Sequence, residues 1–324
     1  MKITGTFLDE ITYDIPSQNW GREEWDRDFL AMKAAGIDTV ILIRCGLRKW
    51  MTYPSAVLAK AQHCHTPSVD LVRLFLDLAE KHGLAFYFGT YDSAQYWQGG
   101  QHRKELDLNK RVVEEAWARY GNSPAFKGWY LTQEVSRNVH GIVDIYAELG
   151  RFCKSVAPLP VLISPYIEGC KAVDQFSSQL LRADGISPHQ HEREWGEIMA
   201  GIRGAVDIVA FQDGHVEFGE LYDFLAMNKA LAGRHGLHCW TNSETFDRDM
   251  PIKFLPINWE KLRFKLDAAR RAGYENAITF EFSHFLSPNS CYPQAHGLYQ
   301  RYLEYLAEAG TTNGDQRRHM RNSD

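Results

Sequence analysis

What most constrains this chain is a repeated alternation of short apolar runs with amphipathic stretches. The runs at 3–8, 39–44, 84–90, 128–132, 161–165, 208–212, 237–241 and 277–282 read as eight strands buried on both faces. Helical patterns follow at 23–35, 67–81, 109–120, 140–156, 191–202, 218–234 and 258–271, and a last one at 295–308 closes the ring. Gly36 and Gly83 stand just past two of them, and Pro67 stands at the start of the second. Strands alternating with helices imply a parallel sheet. Eight such units in roughly 310 residues fit an α/β fold of one kind, a single (β/α)8 barrel. A doubly wound open sheet is the competing topology, but no GxGxxG or GxxxxGK[ST] motif follows any strand. The expected organisation is one barrel domain over 1–310 and a disordered tail over 311–324, where apolar periodicity stops.

Composition narrows the function class. The 324 residues carry 36 basic and 41 acidic side chains, a net charge of −5, without the basic stripe of a nucleic-acid binder. No apolar run reaches 18 residues, so no membrane span or membrane partner is expected. The first ten residues read as a strand rather than a secretory leader, which suggests a cytoplasmic protein, or a secreted one already trimmed. Monomer and small homo-oligomer are both open. Cys45, Cys64, Cys153, Cys170, Cys239 and Cys291 show no CxxC spacing and read as reduced, mostly buried residues. His63/His65 and His189/His191 are spaced by two, but HExxH and Cys/His quartets are missing, so no metal or other cofactor is expected. A GxSxG elbow and a Gly-rich phosphate cradle are missing too.

The connections point to one end of the barrel. The αβ links are short, whereas the βα links at 9–22, 45–66, 91–107, 168–190 and 245–257 are long. In a barrel the βα loops share the C-terminal face, where active sites are built. Carboxylates gather at those strand ends: Glu134 after strand four, Asp213 after strand six, Glu244 after strand seven, Glu281 in strand eight. Arg44, Tyr91, Asp92, Tyr166 and Gln212 end other strands, and Trp240 and Asn242 share the Glu244 face of strand seven. Tyr13, Trp20, Trp50, Tyr53, Tyr96, Trp97 and Trp195 fall among the long loops. Aromatic faces of this kind pack on the C–H faces of sugars, or merely anchor loops, and about half are expected to do only the latter.

A barrel with one glutamate ending strand four and another ending strand seven resembles the clan A glycoside hydrolases. The chain is also similar to an uncharacterised bacterial TIM-barrel family grouped with them, through Gly5-Thr6-Phe7, Tyr53-Pro54-Ser55, Ser164-Pro165-Tyr166 and Gln212-Asp213-Gly214. The resemblance implies a retaining hydrolase acting on a small oligosaccharide or glycoside, with Glu134 as general acid/base and Glu244 as nucleophile. Carboxyl groups about 5–5.5 Å apart go with retention, about 6.5–9.5 Å with inversion. Substrate contacts are expected from Arg44, Tyr91, Asp92, Gln133, Tyr166, Gln212, Asp213, Trp240, Asn242, Glu281, Trp20 and Trp97. Two departures stand out. Gln133 replaces the clan's Asn before the acid/base, and strand eight carries Glu281 in place of a Trp. Glu281 is thereby an alternative nucleophile, a sugar-hydroxyl acceptor or a partner of Arg44. The rival readings are a non-catalytic carbohydrate-binding barrel and a metal-dependent isomerase or lyase using Asp213, Glu244, Glu281 and a histidine.

Overall fold

The computed structural model describes residues 1–13, 15–169, 171–173, 180–182, 185–248 and 254–321, the side chains of 171–173, 180–182 and 309–321 excepted. Its centre is a closed barrel of eight parallel strands. They are β1 (Ile3–Leu8), β2 (Thr39–Leu42), β3 (Ala85–Gly89), β4 (Phe126–Leu131), β5 (Val161–Ile163), β6 (Ile208–Gln212), β7 (His238–Asn242) and β8 (Ala277–Thr279). Each pairs with its sequence neighbours, and β8 returns to β1 through Ile3–Ala277 and Thr6–Thr279. Every expected strand is therefore present, with ends shifted by up to three residues.

The helices follow in turn: α1 (Arg22–Ala34), α2 (Leu71–His82), α3 (His102–Tyr120), α4 (Gly150–Val156), α5 (Pro188–Gly201), α6 (Phe218–Arg234), α7 (Trp259–Arg271) and α8 (Pro293–Arg321). Local chemistry explains their limits. α2 starts four residues after Pro67, because the Asp70 carboxylate accepts from the Arg73 N–H and caps the first turn there. Gly83 then ends it with φ +65°, a conformation that glycine adopts without a Cβ clash. The pattern over 140–156 is interrupted: a π-helical turn, Ile145–Leu149, precedes α4. That turn brings the Tyr146 hydroxyl onto the Gln133 carbonyl at the end of β4. α8 is continuous from Pro293 to Arg321.

Two apolar layers hold the fold. The larger lies between barrel and helices. The smaller fills the barrel with Phe7, Ile41, Tyr87, Tyr130, Leu162, Ile208, Ala210 and Ile278, and Trp240 packs against it from β7. Inward residues of successive strands thus plug the barrel beneath its C-terminal face. Gly128 leaves room for this plug, since a Cβ there would overlap the Tyr87 ring. The loops above carry structure of their own. Gly46–Leu47 pairs with Trp50–Met51 and with Tyr91–Asp92, a helix spans Ala56–Gln62, and Phe246–Asp247 pairs with Leu255–Pro256. Cys45, Cys64, Cys153, Cys239 and Cys291 are free thiols, and Cys170 lies outside the described residues. Among the described residues no helix is long and apolar enough to cross a membrane.

Candidate active site

Strand alternation decides which residues past the end of β4 face the barrel axis. Tyr130 points inward, and Glu134 follows on the same face. The Tyr130 hydroxyl donates to Glu134 Oε1 at 2.7 Å. Arg44, just beyond β2, places a guanidinium nitrogen 3.5 Å from Glu134 Oε2 and another 3.5 Å from Asp92 Oδ2, and donates to Thr12 Oγ1 at 3.0 Å. Burial pushes the Glu134 carboxyl above its ordinary range, and Arg44, Tyr130 and Gln212 only partly offset that.

The residue after β7 with the same inward direction is Glu244, which is nearly inaccessible. Burial favours its neutral form, but Arg248, with Lys265 and His215 beside it, outweighs burial and the carboxyl lies below its ordinary range. Arg248 grips it at both oxygens, Nε to Oε2 at 3.1 Å and a terminal nitrogen to Oε1 at 2.9 Å. The backbone is fixed as well. Asp213 accepts the Glu244 N–H at 3.2 Å, and Lys265 bridges Asp213 Oδ1 at 2.8 Å and the Glu244 carbonyl at 3.1 Å. Gly214 is required at close quarters, because a Cβ there would collide with Glu244 Oε2.

Both glutamates line one cavity of about 130 Å³, together with Thr12, Arg44, Gln212, Asn242, Arg248, Phe246, Phe254 and Phe280. A second cavity of about 230 Å³ shares Thr12, Arg44 and Glu134 with it and adds Tyr13, Asp92, Trp97 and Tyr166. There the Trp97 ring N–H donates to Asp92 Oδ1 at 2.8 Å. Of the expected contacts, Arg44, Asp92, Tyr166, Gln212, Asn242 and Trp97 therefore meet around Glu134 and Glu244.

Others lie elsewhere. Gln133 has the outward parity: its amide nitrogen donates to the Tyr91 carbonyl at 3.1 Å and to Glu105 at 3.0 Å, so it does not occupy the cavity. Tyr91 is buried under the loops and donates to the Arg48 carbonyl at 2.6 Å. Asp213 is held by Lys265 behind Glu244. Trp240 fills the barrel, and Trp20 packs on Trp25 at 4.9 Å as a loop anchor. Glu281 is fully buried. It caps the turn Phe282–Phe285, accepting from Ser283 N at 2.8 Å and His284 N at 2.6 Å, and its oxygen also meets His284 Nδ1. His284 Nε2 donates to the Pro16 carbonyl at 2.6 Å. That leaves Glu281 no direction for a substrate, nor for Arg44.

Arg248, Thr12 and Tyr130 escaped the sequence reading. Arg248 stands at i+4 from Glu244 in a loop, where spacing carries no facing rule. Of the aromatics expected in loops, Tyr53 is a buried anchor, Trp195 is buried within α5 instead, and Tyr13, Trp50 and Trp97 border cavities. Among the described residues no group of three or more His, Cys, Asp or Glu side chains is placed to hold a metal ion.

Comparison with known proteins adds relatives to this geometry. The family model described as a domain of unknown function (DUF4434) matches residues 3–292. The crystal structure of "a putative alpha-L-fucosidase" from Bacteroides thetaiotaomicron VPI-5482 superposes with a TM-score of 0.90 at 56% identity, covering 94% of this chain and 95% of that one. An endo-1,4-beta-D-mannanase from Thermotoga petrophila RKU-1 aligns with a TM-score of 0.55 at 14% identity over 86% of this chain and 88% of its own. A glycoside hydrolase family 5 protein from Bacteroides vulgatus ATCC 8482 gives 0.55 at 12% identity over 87% of this chain and 58% of its own. At such identities the last two speak for the barrel fold alone. No curated protein sequence matches significantly.

Proposed function

The chain belongs to the DUF4434 family, and from that premise we propose that it is a retaining glycoside hydrolase with Glu134 as general acid/base and Glu244 as nucleophile. One observation carries the reading: two strand-end carboxylates line a single cavity with their proton affinities driven apart, Glu134 up and Glu244 down. Glu134 is thus suited to hold the proton and Glu244 the charge. In the first step a Glu244 oxygen attacks the sugar C1, the bond from C1 to the leaving oxygen breaks, and the Glu134 proton passes to that oxygen. In the second, Glu134 takes a proton from water, the water oxygen attacks C1, and Glu244 leaves as a carboxylate. Arg248 occupies one lone pair on each Glu244 oxygen, which orients the group and leaves others for C1. Asn242 and Gln212 offer amides to sugar hydroxyls, and Phe246, Phe254 and Phe280 offer apolar walls.

The relative at 56% identity makes an α-L-fucoside the first substrate to try, with other small glycosides and oligosaccharides beside it. The test is hydrolysis of aryl glycosides, α-L-fucoside foremost, by wild type, Glu134→Gln and Glu244→Gln, with the anomer of the first product read by NMR. Turnover is expected in wild type with retention, and collapses in both variants. Turnover that survives both substitutions, or an inverted first product, overturns the mechanism.

A further inference from the structure

The cavity system does not end at the two glutamates. The 230 Å³ cavity, which shares Glu134 but not Glu244 with the catalytic one, shares Thr12, Tyr13, Leu47 and Arg48 with a third of about 440 Å³. Arg48 also borders a fourth, of about 410 Å³, and Lys49 lines both outer ones. This track runs over the loops after β1, β2 and β3. On the reading above, Glu134 protonates the leaving oxygen, so the track lies on the leaving-group side of the bond.

Its lining is distinctive. Tyr13 and Trp50 are 77% and 60% exposed, the most open large apolar side chains among the described residues. Rings left open beside a catalytic cavity mark a ligand surface. The Arg48 guanidinium lies 5.4 Å from the centre of the Tyr13 ring, so cation and platform form one surface. Neither Arg48 nor Lys49 has a carboxylate within ion-pair distance among the described residues. The acids that border the track are already engaged. Asp92 is bound by Arg44, Trp97 and the Ala94 N–H, and Glu10 by the Ser17 hydroxyl at 2.6 Å and the Gln18 N–H at 3.1 Å. Two cations without a carboxylate partner among the described residues, beside open aromatic rings, call for a ligand with an apolar face and a negative charge. On a protein whose net charge is −5 the feature is local.

We propose that this track is a leaving-group subsite for an acidic glycan residue, a sugar bearing a carboxylate or a sulfate ester, held by Arg48 and Lys49 with Tyr13 and Trp50 as platforms. The proposal rests on the glycosidase reading for its direction but not for its binding chemistry.

The test is binding. Glu134→Gln protein is applied to arrayed oligosaccharides bearing uronic acids, their methyl esters, sulfate esters or no charge, at low and high salt. Arg48→Ala/Lys49→Ala in the same background is run beside it. The expected result is capture of acidic over neutral glycans, weakened by salt and reduced about five- to tenfold by the double substitution, the scale of two exposed charge contacts. The methyl-ester and sulfate arms tell a carboxylate site from a sulfate site. Retention of no acidic glycan, equal capture of neutral ones, or undiminished capture by the double variant overturns the proposal. Wild-type turnover of aryl glycosides is read separately. If it is missing while acidic glycans are still captured, the glycosidase reading fails and the subsite stands.

Discussion

The ends of β4 and β7 and the end of β8 make an instructive pair. Each releases a glutamate within three residues of the strand, and each glutamate is largely buried. Their surroundings differ. Glu134 and Glu244 are bonded by side chains, Tyr130 and Arg44 at the first and Arg248 at the second, and keep a cavity in front of them. Glu281 meets its own chain: a helical turn starts at the next residue, and His284 sits at i+3. Its oxygens take the first free N–H groups of that turn and the imidazole, and His284 ties the assembly to the loop after β1 through Pro16. A strand-end carboxylate is available for chemistry only where the local backbone does not consume it.

The largest expected effect breaks this comparison directly. Glu134→Gln and Glu244→Gln are each expected to lower kcat/KM on the best aryl glycoside by about 10²–10⁴-fold, the range for losing a group in proton transfer, in the folded protein. Glu281→Gln is expected to do the reverse. It removes the carboxylate that holds the buried His284 ring and the first N–H groups of the turn and so costs about 3–5 kcal/mol of stability, while the folded fraction keeps its turnover. Urea unfolding and active-site-normalised kinetics on the three variants decide. A stable Glu281→Gln protein without activity would transfer the catalytic role to β8.

The same contrast shows how far sequence reaches. Eight strands and their order were legible, because burial on both faces is written locally. So were the inward parity of Asn242 and Glu244 and the place of Arg44. What failed was parity and competition past strand ends. Gln133 is one residue from Glu134 and faces the opposite way, toward Glu105. Glu281 lay in a run read as strand to 282, whereas β8 ends at Thr279, and the capped turn that claims it became visible only with the backbone in place. Arg248 reaches Glu244 by loop geometry that no periodicity encodes.

A smaller effect concerns stability against pH. Burial works against charge on His284, but Glu281, the hydrogen bond between them and the Pro16 carbonyl outweigh it, and the ring titrates at about 9. In the unfolded chain the ordinary value is about 6.5. Its stabilising contribution is therefore complete below about pH 6.5 and is lost as pH rises through about 9. Wild-type unfolding free energy should fall across that window, and Glu281→Gln should flatten the fall. An identical slope in both would detach the pH dependence from the β8 end.

The smallest effect separates the two catalytic candidates from each other, and here only direction is at stake. If Glu134 must be protonated and Glu244 ionised, Glu244 sets the acid limb of kcat/KM and Glu134 the basic limb. Arg248 is the largest influence that lowers Glu244 against burial, so Arg248→Met should move the acid limb to higher pH. Arg44 is the largest influence that lowers Glu134 against burial, so Arg44→Met should move the basic limb to higher pH. The two substitutions thus narrow and widen the active range respectively, although each deletes an arginine from the same cavity. pH profiles on one aryl glycoside distinguish them. A swap of limbs would mean that the two glutamates exchange roles, with the acid on β7 and the nucleophile on β4.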